Sequence, residues 1–374
     1  MPAPQMIDWD VAVATARRLM RPGPQVSPQE AREVVAELRG LVPTAEQHVR
    51  DYTHLVNHAA DGGAVAVVDR IGWVQANLDG FKFVLEPLAE KLTERRGAPS
   101  GLAAVVGPKV TGAQVGTVLS YLASRVLGQY ELFIPAEDGA GRLTLVAPNI
   151  VDVERELGVD PHDFRLWVTL HEVTHRTQFT AVPWLRSYFT GEVRAFVLAS
   201  DLDPQELFTR LKDAATAVRA ARSGADDSPS VIEALQTPEQ REILGRLQAL
   251  MSLLEGHGDF VMDGVGPAVV PTAALIRRRF DQRRKGAGPL DRLVRKLLGL
   301  DLKMKQYADG EKFVHHVVDA VGMTGFNRVW TSPETLPTSE EIKHPQAWVD
   351  RVRPAAPVGQ LTADDREAAG DAGA

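Results

Sequence analysis

The run DFRLWVTLHEVTHRTQF, residues 163–179, sets two histidines four residues apart, with a glutamate directly after the first, among residues that otherwise suit a buried helix. Asp160 and Pro161 just ahead of it supply an N-cap and a proline at the first helical position, and Asp163 puts a negative charge where the helix dipole favours it. The helix is therefore expected from about Pro161 to Phe179. At about 100° per residue, Leu166, Leu170, Val173 and Thr177 fall on one stripe, the expected core face. His171 and His175 lie on another face, about 40° apart and one turn from each other, so both imidazoles can reach one point in space. Phe164, Trp167 and Val168 continue the histidine face with bulky apolar groups, which argues against open surface.

That geometry suits a divalent metal. Zinc accepts neutral imidazole nitrogens at about 2.0–2.1 Å, and a catalytic site leaves one position for water. Glu172, rotated about 100° from His171, points beside the metal, where it can act as general base. The competing reading makes Glu172 and Arg176 a surface ion pair at i,i+4 and the histidines satisfied core residues. Because the chain has no cysteine, a third ligand must be His, Asp or Glu. The metzincin pattern is absent, since Gln178 and Ala181 stand where a glycine and a third histidine would be needed.

A carboxylate on a second helix is the alternative, and two candidates stand open. Glu192 lies in FTGEVRAF, at the short spacing of many glutamate-ligand zinc peptidases, and Glu255 lies far downstream in ALMSLLEGHGDFVMD. A helical reading of the second segment lines up Leu244, Leu247, Met251, Glu255, Asp259 and Met262, so two acids one turn apart share an otherwise apolar face. Such a face is costly to bury without a cation. A zinc ion would supply the charge, with Glu255 as ligand and Asp259 as the acceptor that orients a ligating histidine through its other ring nitrogen. Gly256 and Gly258 would let two helices approach closely. His257 points away from Glu255 toward Leu250, Leu253 and Val261, as a structural residue would.

Composition sets the remaining bounds. The 374 residues are 44% hydrophobic and 24% charged, as in an ordinary globular protein, and the absence of cysteine excludes disulfides and thiolate chemistry. A net charge of −7, spread along the chain, argues against a nucleic-acid partner. The basic run RRRFDQRRKGAG is read as a solvated helix end, because no aromatic stacking pattern accompanies it. No apolar run reaches the roughly 18 residues of a membrane span, and the first residues lack a basic start followed by an apolar core, so a cytoplasmic location without a membrane partner is expected.

Most of the chain reads helical, as in VSPQEAREVVAELRGLV after Ser27 and Pro28, WVQANLDGFKFVLEPLAEKL and TGAQVGTVLSYLASRVL. GQYELFIP and RLTLVAPN, around the turn AEDGAG, read as a hairpin, and the second strand is a candidate edge for an extended peptide. Ser223–Glu239 reads as a surface loop, and 354–374 as a disordered tail too poor in large apolar groups to order. His315 and His316, in an amphipathic stretch, read as packing or surface residues. Tyr188 and Tyr307 are candidate donors to a developing oxyanion, although nothing in the sequence places them near the metal.

Together, PNIVDVERELGVDPHDFRLWVTLHEVTHRTQF, LMSLLEGHGDFVMD and GLDLKMKQYADGEKFVHHVVDAVGMTGFNRVWTSPETLPT make the chain resemble a zincin-like metallopeptidase family of actinobacterial and related proteins. Its members are often labelled hydrolases or zinc-dependent metalloproteases, and some carry a gene-association label tying them to deazaflavin coenzyme biosynthesis. The resemblance extends from about Asp8 to Val352. It implies a mainly α (α+β) zincin-like fold with an active-site helix and a small hairpin or sheet. It also implies Zn2+ held by His171 and His175, with Glu255 as third ligand and Glu172 as base. On this reading residues 1–353 form one zincin-like domain, a helical part at 1–110 and a metal-site part at 111–353, and the substrate is a peptide or protein. The rival is a non-catalytic protein that keeps the metal for stability or partner binding.

Overall fold

The structure is a computed structural model and describes residues 7–57, 63–96, 101–133, 141–199, 237–285 and 300–352. The tail expected at 354–374 lies outside these residues, as does nearly all of the loop expected at Ser223–Glu239. The first helices are α1 (Trp9–Leu19) and α2 (Pro28–Thr53), followed by β1 (Ala64–Val68), α3 (Arg70–Arg96) and α4 (Gly101–Ala123). Next come β2 (Gly128–Glu131), β3 (Arg142–Val146), α5 (Ala147–Leu157), α6 (Pro161–Ala181) and α7 (Leu185–Leu198). The C-terminal part holds α8 (Pro238–Val265), α9 (Ala273–Lys285), α10 (Leu300–Phe326), α11 (Ser339–Lys343) and α12 (Pro345–Val352). Two short 3-10 turns, Asn327–Trp330 and Pro333–Thr335, link α10 to α11. The fold is mostly helical with one small sheet, as the sequence led us to expect. Among the described residues, no helix is long and apolar enough to cross a membrane.

Helix starts follow local chemistry. Ser27 accepts from the Glu30 amide and Pro28 opens α2, while Asp160 accepts from the Asp163 amide and Pro161 opens α6. Thr237 and Gln240 form a reciprocal capping box at α8.

The expected strands do pair: β2 and β3 run antiparallel, with Gly128 opposite Leu145 and Glu131 opposite Arg142. Three details differ. The strand GQYELFIP shortens to Gly128–Glu131, and the last residues of RLTLVAPN leave the sheet, because Pro148 suits the first turn of a helix and α5 begins at Ala147. A further strand, β1, pairs parallel with β3, in register from Ala64 with Arg142 to Val68 with Val146. The order β1-β3-β2 makes β3 central, so it is not the edge the sequence suggested; among the described residues the edges are β1 and β2.

The core gathers around α6. Leu166, Leu170 and Val173 are buried, as the expected core stripe requires, but so are Phe164, Trp167 and Val168 on the other side. A helix covered all round is an interior helix. One cluster joins it to Leu38, Val42 and Val49 of α2, Leu143 and Leu145 of β3 and Ile150 of α5. A second unites Leu250, Leu253 and Leu254 of α8 with Phe313 and Val317 of α10, Trp330 and Trp348. Ala16 of α1, Trp73 and Val74 of α3, and Leu119 of α4 form a third. The hydroxyls of Thr169, Thr174 and Thr177 donate to carbonyls four residues back, which satisfies them inside the buried helix.

Candidate metal centre

Along α6, one turn brings His171 above His175, with their Nε2 atoms 3.1 Å apart. The third group comes from α8. Glu255 Oε2 lies 3.7 Å from His171 Nε2 and 3.9 Å from His175 Nε2. Among the described residues these three form a group able to hold a metal, with all ligand atoms within 4.8 Å of one another. Three atoms with such separations share a point about 2 Å from each, the zinc bond length for imidazole nitrogen and carboxylate oxygen. Two neutral imidazoles and one carboxylate also leave a coordination position open, the donor set of a catalytic zinc. The residues present fit the ion.

α8 can deliver Glu255 because it crosses α10 at two glycines. A Cβ on Gly256 would overlap the backbone of Gly310, and one on Gly310 would overlap that of Ser252. The buried face of α8 carries Leu250, Leu253, Leu254, His257, Phe260 and Val261, whereas Leu244, Leu247, Met251, Glu255 and Asp259 are half-buried. The stripe expected as an otherwise apolar face with two acids is therefore half-buried, with Glu255 turned toward the histidines, and within it only Met262 is fully covered.

Glu172 is buried beside this triad, and burial is the main cause that raises its carboxyl to about 7; the Glu255 charge adds to the rise and His175 opposes it. Gly128, the first residue of β2, lies directly against it. A Cβ there would sit 2.5 Å from Glu172 Cγ and 2.8 Å from Oε1, so only glycine lets the strand come this close. The alternative partner, Arg176, is buried and pairs with Glu46 of α2 at 2.7 Å.

Each imidazole of the pair also has a neighbour at its other nitrogen. His175 Nδ1 is 3.0 Å from Gln178 Oε1, and His171 Nδ1 is 3.1 Å from Met262 Sδ. The expected acceptor, Asp259, is not there and must be corrected. Helix α9 brings Arg277 against this part of α8, and Asp259 Oδ1 faces that guanidinium at 3.4 Å while Asp263 pairs with it at 2.9 Å. Gln178 was missed as an acceptor, although a polar residue three positions after His175 on a buried helix was the available signal. Gly128 had no sequence signal, since its role depends on the sheet lying against α6.

The other candidates fall elsewhere. Glu192 pairs with Arg246 at 2.8 Å. His257 is fully buried, with its ring stacked 5.3 Å from Phe326, and burial pushes it down to about 3, so it stays neutral. Tyr188 packs edge-on to Trp184 near the Glu192–Arg246 pair, and the side chain of Tyr307 lies outside the described ones. His315 packs edge-on to Phe260, and His316 faces Gln346. In the basic run, Arg279 donates to the carbonyls of Leu157 and Gly158 at the end of α5, and Arg283 pairs with Glu156.

No curated protein matches the chain. A solved structure from Chloroflexus aurantiacus, described as a candidate hydrolase with a novel fold, is 34% identical, with a TM-score of 0.68, and the match covers 94% of this chain and 100% of that one. The family model of zincin-like metallopeptidases matches residues 7–349. That span includes the helix of His171 and His175 and the helix of Glu255, and the chain belongs to the zincin-like metallopeptidase family.

Proposed function

We propose that the chain is a zinc-dependent metallopeptidase in which His171, His175 and Glu255 hold the ion and Glu172 is the general base. The observation that carries this reading is the convergence of the three ligand atoms from α6 and α8 beside a buried carboxylate. Bound there, zinc would polarise the scissile carbonyl and lower the pKa of its water toward about 7. Glu172 takes the proton from the attacking water and delivers it to the departing amine nitrogen, so the nucleophile and the leaving group are served by one carboxylate. Burial holds that carboxylate in a dry environment, where its basicity exceeds that of a solvated glutamate.

The substrate is a peptide or protein segment in extended form. With β3 central, the strand suited to pair with it is β2, whose first residue lies against Glu172.

The test is Glu172→Gln, compared with wild type after zinc loading, on a proteome-derived peptide library. Zinc retained at one per chain with cleavage reduced by about 10²–10⁴-fold supports the mechanism. Undiminished cleavage would sink it. A zinc-saturated wild type that cleaves nothing in the library favours the rival, a metal-stabilised protein without catalysis.

A further inference from the structure

We propose that Gln178 is a positioning residue of the metal centre: its side-chain amide fixes which nitrogen of His175 carries the proton, and it ties the two ligand-bearing helices together. The inference rests on the zinc reading for its purpose, but its geometry is independent of that reading.

The argument starts from what the amide touches. Gln178 is fully buried, so each of its polar atoms must find a partner inside the protein. Nε2 lies 2.9 Å from the carbonyl oxygen of Leu254 and 2.9 Å from His257 Nδ1. A backbone carbonyl can only accept, so the end of the amide facing Leu254 must be the NH2 group. The reverse orientation would set oxygen against oxygen. With both amide hydrogens used in this way, His257 Nδ1 must be the bare nitrogen of its ring. Oε1 is then the end that faces His175 Nδ1, at 3.0 Å, and a carbonyl oxygen requires a donor there. His175 must carry its proton on Nδ1, which leaves the Nε2 lone pair directed toward His171 Nε2 and Glu255, where a metal would lie.

The tie between helices follows from the same bonds. Leu254 immediately precedes Glu255 on α8, and Gln178 lies one turn after His175 on α6. A single amide therefore joins the backbone that delivers the carboxylate ligand to the ring of a histidine ligand. His171 has a different arrangement, with a thioether at its Nδ1, which is a weak acceptor. The two histidines should depend unequally on their neighbours.

The experiment has two readouts. The first is the 15N and 1H NMR signature of the histidine rings in metal-free, full-length protein. His175 should be the Nδ1–H form in wild type and should lose that preference in Gln178→Leu. An Nε2–H form of His175 in wild type would overturn the proposal without recourse to any variant. The second is zinc affinity by competition with a chelator, with folding checked by circular dichroism. Gln178→Leu should weaken zinc about 10–100-fold, the scale expected for an outer partner of a metal ligand, whereas Met262→Leu should change it less than about threefold. Unchanged affinity in folded Gln178→Leu would defeat the positioning role. Should the leucine variant fail to fold, Gln178→Met keeps the volume and removes the carbonyl, with the same expected loss. If wild type binds no zinc, the zinc reading falls, and the NMR result alone still decides the tautomer assignment.

Discussion

Helix α6 carries three of the four groups at the centre, His171, Glu172 and His175, within little more than one turn, while α8 carries one, Glu255. The two helices hold polar groups in the interior by different means. In α6 part of the compensation is local: threonine hydroxyls return to carbonyls four residues back, and Gln178 reaches His175 one turn away, while Arg176 finds Glu46 of α2. In α8 it is mostly long-range. Glu255 finds the histidines of α6, His257 finds Gln178, and Asp259 finds Arg277 of α9. Glycines at the crossing with α10 allow α8 the position it needs. The lesson is that a polar residue on a buried helix says nothing by itself about its role; the partner that compensates it does.

The largest effects should come from removing the ligands, and they test whether the two helices contribute equally. His171→Ala, His175→Ala and Glu255→Ala should each lose zinc, measured by elemental mass spectrometry on untagged protein. The loss should exceed the roughly 10–100-fold weakening expected for outer partners. Glu192→Ala should keep the metal, since only an ion pair with a half-exposed arginine is lost, worth about 1 kcal/mol or less. Zinc retained by Glu255→Ala would remove α8 from the centre and break the comparison.

Next in size is the helix crossing. Gly256→Ala sets a methyl group against the backbone of Gly310, where no flexible side chain can yield, and should cost about 3 kcal/mol or more in chemical denaturation. Gly258→Ala meets the His171 ring at 3.2 Å, a contact that a small ring movement relieves. It should cost less than about 1 kcal/mol while weakening zinc severalfold. A Gly256→Ala variant as stable as wild type would show that the crossing does not need its glycine.

A third prediction concerns Glu172 in metal-free protein. Its carboxyl, at about 7 in the fold, lies above the ordinary 4.5, so the folded chain holds this proton more tightly than the unfolded chain does. Its contribution is fully present below about pH 4.5 and is lost as pH rises through about 7, about 3 kcal/mol in all. The stability difference between Glu172→Gln and wild type should therefore grow in favour of the variant across that window, and zinc should reduce it. A difference independent of pH would place the ionised carboxylate in a solvated setting.

The smallest effect tests the local side of the comparison. Asp160→Ala removes the cap of α6 and should cost about 1 kcal/mol without changing zinc affinity, because the ligands lie several turns away. Altered zinc affinity would mean that the helix end and the centre are coupled.

Local chemistry was enough to read the parts whose interactions run within a few residues. The start of α6 at Asp160 and Pro161, the shared face of His171 and His175 and the place of Glu172 all follow from helical periodicity and capping chemistry. The pairing of β2 with β3 was legible for the same reason, since the chain returns after a short connection. Packing sets Glu255 rather than Glu192 beside the histidines: each lies on a helix that the sequence leaves free to pack in many ways, and Arg246 meets one while the histidines meet the other. It also replaced Asp259 by Gln178 and Met262 as the neighbours of the ligands, because helix α9 supplies Arg277 to Asp259. The central position of β3 depended on β1, a strand distant in sequence whose pairing no local pattern encodes. Periodicity fixes which face of a helix a residue occupies; what stands opposite that face depends on how distant segments share the core.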